Sequence, residues 1–352
     1  MANKKNNLIL NVQNLKKYFP IRRGLLKRTV GWVRAVDGVD FKVARGETVG
    51  LVGESGCGKT TVLRSLIRAI EPTAGTIQFY DDEESIDIVK ASPVELAKIR
   101  QVIRMVFQDP ESSLNPRMTV RQIIREPIAI NRAIKGSSAI ETAIQKLVSR
   151  VGLNPEHLSR YPYAFSGGQR QRIGIARSLA LNPRLLLADE PTSALDVSVQ
   201  AQILNLLFDL QNDMDLSIIF VTHDLSVIRH MAKKIAVMYL GNIVEFGDRK
   251  EIFEHPKHPY TEALLSAIPQ PDPHRQIERI ELEGDIPEIS SKPKGCSFHP
   301  RCAYARERCS VEIPKLITRS NSGAKSENTL VACHYADELQ LKGQDAALET
   351  TL

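Results

Sequence analysis

Three features of this sequence predict an α/β fold built on a mainly parallel sheet. Fully apolar runs of strand length recur, at Thr48-Val49-Gly50-Leu51-Val52 and within 184–189, 217–222 and 235–239. Segments with apolar residues at helical spacing fall between them. One strand-to-helix junction, directly after Val52, is a loop rich in glycine. Strands that alternate with helices pair in parallel and are covered on both faces, so their sequences lack polar alternation. The 352 residues allow one large core and a smaller appended unit, and 42% hydrophobic with 25% charged residues is an ordinary globular composition.

Taken in order, residues 8–15 alternate apolar and polar positions and suit a strand. Residues 16–34 carry only positive charges (Lys16, Lys17, Arg22, Arg23, Lys27, Arg28, Arg34) and read as a solvated basic loop in preference to a phosphate- or lipid-directed patch. A strand over 35–43 follows, and Arg45-Gly46-Glu47 turns into the strand at 48–52. Beyond the first helix come a turn at 71–75, a short strand at 76–80 and an acidic loop tip at 81–84. A strand over 101–107 ends in the polar break Gln108-Asp109-Pro110. From about 118 to 160, Val120, Ile123, Ile124, Ile128, Ile140, Ile144, Leu147, Val148 and Val151 keep helical spacing and predict an all-α insert, within about 111–165. An apolar strand at 184–189, a helix at 199–210 and buried strands at 217–222, 235–239 and 242–246 complete the pattern. From His255 onward Pro256, Pro259, Pro269, Pro271, Pro273, Pro287 and Pro293 break any long helix except one over 260–268. The expected division is 1–250 for the main domain, 251–340 for a small loop-rich unit and 341–352 for a frayed tail.

The loop after Val52 reads Gly53-Glu54-Ser55-Gly56-Cys57-Gly58-Lys59-Thr60-Thr61. Between a strand and a helix, G-x-x-x-x-G-K-T is a phosphate-binding loop. Its glycines admit positive φ, so backbone N–H groups turn inward around a polyphosphate, and the next helix offers its positive end to the same anion. Lys59 supplies a point charge to the β- and γ-phosphates, and the Thr60 hydroxyl is placed to ligate Mg²⁺. The chain is therefore expected to bind a nucleoside triphosphate. Asp189 closes an apolar strand, where a carboxylate can hold Mg²⁺, and Glu190 is suited to orient or deprotonate an attacking water. Phe165-Ser166-Gly167-Gly168-Gln169 opens a helix that Ser166 caps, with glycines that let backbone N–H groups approach an anion.

The formal charge of +6 fits nucleic acid, an anionic membrane surface or plain solubility. No apolar run approaches a membrane span, so the expectation is a cytosolic protein whose membrane work, if any, relies on other subunits.

With these residues in view, the chain resembles the ATP-binding-cassette (ABC) ATPases over about residues 8–250. The resemblance rests on the phosphate loop, Gln108 as the Q-loop, Ser166-Gly167-Gly168-Gln169 as the signature and Asp189-Glu190 as the Walker-B end. It also rests on Ser193-Ala194-Leu195-Asp196 as the D-loop and on His223 as the switch histidine. It implies a P-loop NTPase fold: a RecA-like core with an antiparallel β subdomain and an α-helical insert, plus the small cysteine-containing C-terminal domain. Two such cassettes would sandwich two ATP molecules head to tail. Phe19 (or Tyr18) would stack on adenine. Gln108 would join Mg²⁺ and the lytic water to the helical insert, Ser166 to Gln169 would reach the opposing γ-phosphate, and His223 would steady the transition state. Phe165 departs from the leucine usual there.

Val106-Phe107-Gln108-Asp109-Pro110, the run 188–198, His255-Pro256-Lys257-His258-Pro259-Tyr260-Thr261 and Gly295-Cys296-Ser297-Phe298-His299-Pro300-Arg301-Cys302 are similar to oligopeptide and dipeptide importer ATPases. The basic insert over 22–38 is similar to the second of the two ATPases such importers use. That resemblance implies a homologous second ATPase as heterodimer partner, two permease subunits, an extracytoplasmic peptide-binding protein and no nucleic acid. The chain would work at the cytoplasmic face of the cell membrane, as a peripheral subunit. Nickel, glutathione and antimicrobial-peptide uptake belong to the same subfamily, and a soluble cassette ATPase is the rival reading.

Of five cysteines, Cys57 is a small side chain of the phosphate loop, whereas Cys296, Cys302, Cys309 and Cys333 crowd into the last sixth of the chain. In a reducing compartment such a cluster suggests metal before disulfide. Four sulfurs suit zinc or an iron–sulfur cluster, but no pair has C-x-x-C spacing, so a disulfide and unliganded thiols stay open. The resemblance implies a [4Fe-4S] cluster with a structural role; His299 and His334 are reserve ligands for Zn²⁺.

Overall fold

In the computed structural model the described residues are 7–24, 27–81, 84–269, 279–285, 287–319 and 329–344. Part of the acidic tip (82 and 83), Pro271, Pro273 and the tail from 345 lie outside them. The chain divides into two units, one comprising 1–9, 43–48 and 80–221, the other 10–42, 49–79 and 222–352.

In the first unit, three strands pair in parallel: Ile103–Val106, Leu185–Asp189 and Ser217–Thr222. The register sets Val106 beside Ala188, Ala188 beside Phe220 and Asp189 beside Val221. Every residue of the latter two strands is buried, as the unbroken apolar runs require for a sheet covered on both faces. Helix Gly167–Leu179 is tied to this sheet by Ser178, whose hydroxyl donates to the Met105 carbonyl at 3.0 Å. Helices Val120–Asn131 and Ser137–Arg150 make the expected α insert, burying Ile123, Ile124 and Ile128 on one and Ile144, Leu147 and Val148 on the other. Thr119 and Gln122 close a capping box at the start of the first.

The strand expected over 101–107 is shorter, because helix Pro93–Val102 precedes it. Ser92 accepts the Glu95 N–H while Glu95 accepts the Ser92 N–H, with proline at the first helical position. That start signal is legible in the sequence and outweighs the β-branched run behind it.

In the second unit, an antiparallel sheet holds Arg28–Ala44, Leu8–Arg23 and Ala74–Tyr80 in that order, with Leu10 opposite Phe79 and Val12 opposite Ile77. The basic stretch expected as a loop is therefore mostly strand. Arg22 and Arg23 are exposed on it, so a hairpin satisfies the backbone while its charges stay in water. The strand before the phosphate loop, Thr48–Val52, runs parallel to Lys234–Tyr239, Val52 beside Val237. Asn242–Asp248 turns back antiparallel, and Thr329–Val331 and Ile317–Arg319 follow it. The proline-rich C-terminal stretch thus contributes two strands that its texture did not announce.

Candidate active site

The phosphate loop is shaped by three glycines with φ of 151°, 78° and 110° at Gly53, Gly56 and Gly58. A Cβ on Gly53 would lie 2.2 Å from the Met238 carbonyl oxygen, and one on Gly58 2.2 Å from that of Ala35. Positive φ and a crowded backbone both demand glycine. Lys59 is 5% exposed and its ammonium donates to the carbonyls of Gly53 at 2.7 Å and Glu54 at 2.9 Å, drawing the loop around a central positive charge. Helix Lys59–Leu66 begins there with no side-chain cap and no acidic residue in its first turn, which suits an anion at its amino end. Thr60 and Thr61 open this helix, and Ser55 lies on the exposed side of the loop. Cys57 is buried, which pushes its thiol up despite the adjacent Lys59. It packs as a small neutral side chain.

Two contacts to this loop escaped the sequence reading. Tyr260 Oη accepts the Glu54 N–H at 2.9 Å, and Arg301 grips the Glu54 carboxylate with two hydrogen bonds, 2.8 and 3.1 Å long. The only signal was that both residues sit in the motifs 255–261 and 295–302.

Also in the second unit, the Tyr18 hydroxyl donates to Asp37 at 2.6 Å, and burial with this bond pushes its pKa up to about 12. Phe19 is 37% exposed, with the Lys17 ammonium 4.9 Å from its ring centre. The half-buried Tyr18 ring has the Arg34 guanidinium 5.7 Å from its centre. His223 is exposed between Thr222 and Asp224, the cap of helix Leu225–Met231.

In the first unit, the end of strand Leu185–Asp189 brings two expected residues together: Gln108 Nε2 donates to Glu190 Oε2 at 3.1 Å. Asp189 is 2% exposed. Glu190 has φ 42° and its N–H donates to the Val221 carbonyl at 3.0 Å. A glutamate in the left-handed region costs about 1–3 kcal/mol, so the surrounding contacts must hold it there.

Ser166 caps helix Gly167–Leu179, as the sequence predicts. Ser166 and Gln169 form a reciprocal capping box, 3.1 and 3.3 Å. A Cβ on Gly168 would lie 2.3 Å from Val199 Cγ1, so this glycine is required by packing against helix Val197–Met214. Gly167 has ordinary clearance, its nearest neighbour being Leu195 at 3.4 Å. Arg170 clasps Glu111 at 2.7 Å, and Arg177 donates to the Ser113 carbonyl at 2.6 Å, tying the signature helix to the residues just after Gln108. Asp196 caps helix Val197–Met214 by accepting the Val199 N–H at 2.9 Å, which lowers its pKa.

All five cysteines are free thiols. Burial pushes Cys302 up to about 12 and Cys333 up to about 11, and the neighbouring cysteines push both further the same way. Cys296 and Cys309 are joined through the backbone, the Cys296 N–H donating to the Cys309 carbonyl at 2.8 Å. Among the described residues, however, no three His, Cys, Asp or Glu side chains gather as ligands to a metal ion. The reserve imidazoles are engaged elsewhere, His299 Nδ1 lying 2.9 Å from the Cys296 carbonyl and His334 Nε2 2.9 Å from that of Glu312.

Comparison with known proteins gives the class. The ABC transporter family model matches residues 36–193, and that of the oligopeptide/dipeptide transporter C-terminal region matches 244–309. Solved cassettes share the fold. One is cbiO1 from Clostridium perfringens, part of the ABC transporter complex cbiONQ, with TM-score 0.59 and 28% identity over 70% of this chain and 91% of that one. Another is an ATP-binding cassette in a dimeric post-hydrolysis state with ADP and Pi, with TM-score 0.59 and 29% identity over 68% and 98%.

Curated relatives narrow it. The oligopeptide transport ATP-binding protein AppF of Bacillus subtilis is 49% identical over 93% of this chain and 97% of its own length. The dipeptide transport ATP-binding protein DppF of Escherichia coli is 45% identical over 94% and 95%. The chain belongs to the ABC ATPases, in their oligopeptide/dipeptide transporter branch.

Proposed function

We propose that this chain hydrolyses ATP to drive peptide import through separate permease subunits. The observation that carries this reading is the union, in one chain, of a lysine-centred phosphate loop, a hydrogen-bonded Gln108–Glu190 pair and the oligopeptide/dipeptide transporter C-terminal region. Residues 53–61 bind the phosphates and Phe19 stacks on adenine. Lys59 neutralises phosphate charge that grows in the transition state. Thr60, Gln108 and Asp189 would hold Mg²⁺, a hard cation whose preference for oxygen their side chains meet, and the ion would neutralise phosphate charge. Glu190, held by Gln108, orients and deprotonates the attacking water, and His223 steadies the γ-phosphate.

Ser166, Gly167, Gly168, Gln169 and Asp196 act on the nucleotide of a second, homologous cassette, so turnover requires a dimer. Closure by ATP and reopening after hydrolysis move the permeases. Among the described residues no helix is long and apolar enough to cross a membrane. The chain acts as a peripheral subunit at the cytoplasmic face of the cell membrane. An extracytoplasmic binding protein delivers the peptide. Cys296, Cys302, Cys309 and Cys333 would supply the four thiolates of a [4Fe-4S] cluster; among the described residues they do not gather as metal ligands, so the cluster itself would draw them together. Anaerobic purification with absorption spectra and iron and sulfide analysis tests this, and colourless, iron-free protein would refute it. The transport reading is tested by co-purification from detergent extracts: permease subunits should accompany the chain, whereas recovery only with ribosomes or nucleic acid would overturn it.

A further inference from the structure

Glu54 presents a difficulty inside a loop meant for a polyphosphate. A carboxylate there repels the ligand unless its charge is neutralised and turned away. The Arg301 guanidinium meets it as a fork, Nη1 at 2.8 Å from Oε2 and Nη2 at 3.1 Å from Oε1, and the Arg301 side chain is only 7% exposed. Planar bidentate pairing of this kind fixes orientation as well as charge. The backbone of the same residue is held separately, its N–H donating to Tyr260 Oη. Tyr260 is fully buried, with ring centres of Tyr239 and Phe298 at 4.7 and 5.3 Å. Arg301 itself ends the turn His299–Arg301, immediately before Cys302. Both grips on Glu54 therefore come from the stretch that matches the transporter C-terminal region.

We propose that Arg301 is a positioning residue for nucleotide binding, and that through it and Tyr260 the C-terminal region sets the charge and shape of the phosphate loop. The inference rests on the reading that residues 53–61 bind ATP, and it makes an appendage outside the ABC ATPase core part of the nucleotide site's support.

The test is titration of the full chain with a fluorescent ATP analogue, together with KM and kcat for ATP in the assembled transporter. Arg301→Gln should weaken binding about tenfold and raise KM more than it lowers kcat, since a desolvated carboxylate loses its charged partner. Arg301→Lys, which keeps the charge but not the fork, should fall between. The double variant Glu54→Gln with Arg301→Gln should recover most of the lost affinity, because the repelling charge is gone. Wild-type affinity in Arg301→Gln, or a double variant as weak as the single one, would overturn the proposal. If Arg301→Gln fails to fold, Arg301→Lys decides, and unchanged affinity there overturns it. Failure of the wild-type chain to bind the analogue would instead overturn the ATP reading itself.

Discussion

At the scale of single residues, the proposed chemistry and the pH dependence of stability rest on different acids and bases. Glu190 sits in a strained backbone conformation with Gln108 on its carboxylate. Glu190→Gln keeps the shape and removes the base, so steady-state ATPase activity of the assembled transporter should fall at least about 100-fold, within the range of general-base effects, while ATP binding is retained. Unaltered turnover would remove Glu190 from its role.

His258 and Glu245 do no such chemistry. His258 is buried, its Nδ1 accepts the Tyr260 N–H at 3.1 Å, and burial lowers its pKa from 6.5 to about 3. Glu245 is buried and accepts the Lys257 and His258 N–H groups at 2.8 and 3.1 Å, and burial raises its pKa from 4.5 to about 7. The signs oppose. Between pH 3 and 6.5 the unfolded chain binds a proton that folded His258 refuses, so that contribution is lost as pH falls through this window. Between pH 4.5 and 7 folded Glu245 holds a proton that the unfolded chain releases, so its contribution is lost as pH rises. In calorimetric pH series, His258→Asn, which keeps the cap acceptor, should lose the His258 term and make stability fall more steeply, or rise less, from pH 4.5 to 7. Glu245→Gln should tilt the same window the other way. Parallel pH profiles for both variants and the parent would contradict the assignment.

Elements show which sequence signals outrank others. Gly168 is needed because Val199 lies where its Cβ would go. Gly168→Ala should cost about 1–3 kcal/mol, as overpacked sites do. By displacing the signature helix it should cut turnover more than tenfold, yet leave nucleotide affinity of the lone subunit unchanged; normal turnover with normal stability would show that the contact relaxes freely. The phosphate loop, the signature start and Asp189-Glu190 were legible because each lies at a junction where local rules for glycine, capping and strand exit act together. What stayed hidden depends on partners distant in sequence. Nothing local says that Arg301 meets Glu54, that Thr329–Val331 pairs with Asn242–Asp248, or that Val199 crowds Gly168. Helix Pro93–Val102 is different, since its capping box is local to Ser92 and Glu95 and outranks the apolar run beside it.

At the scale of the whole molecule, one chain carries both a nucleotide-hydrolysing core and the C-terminal region of the peptide-transporter branch, so its ATP turnover is spent on peptide movement. The most direct measurement is uptake of a labelled di- and oligopeptide panel, with nickel and glutathione as comparisons, into proteoliposomes holding the complete transporter. ATP-dependent peptide accumulation with the parent chain, abolished by Glu190→Gln, is the predicted result. Peptide uptake that persists with Glu190→Gln, or ATP turnover by the parent that moves no peptide at all, would contradict it.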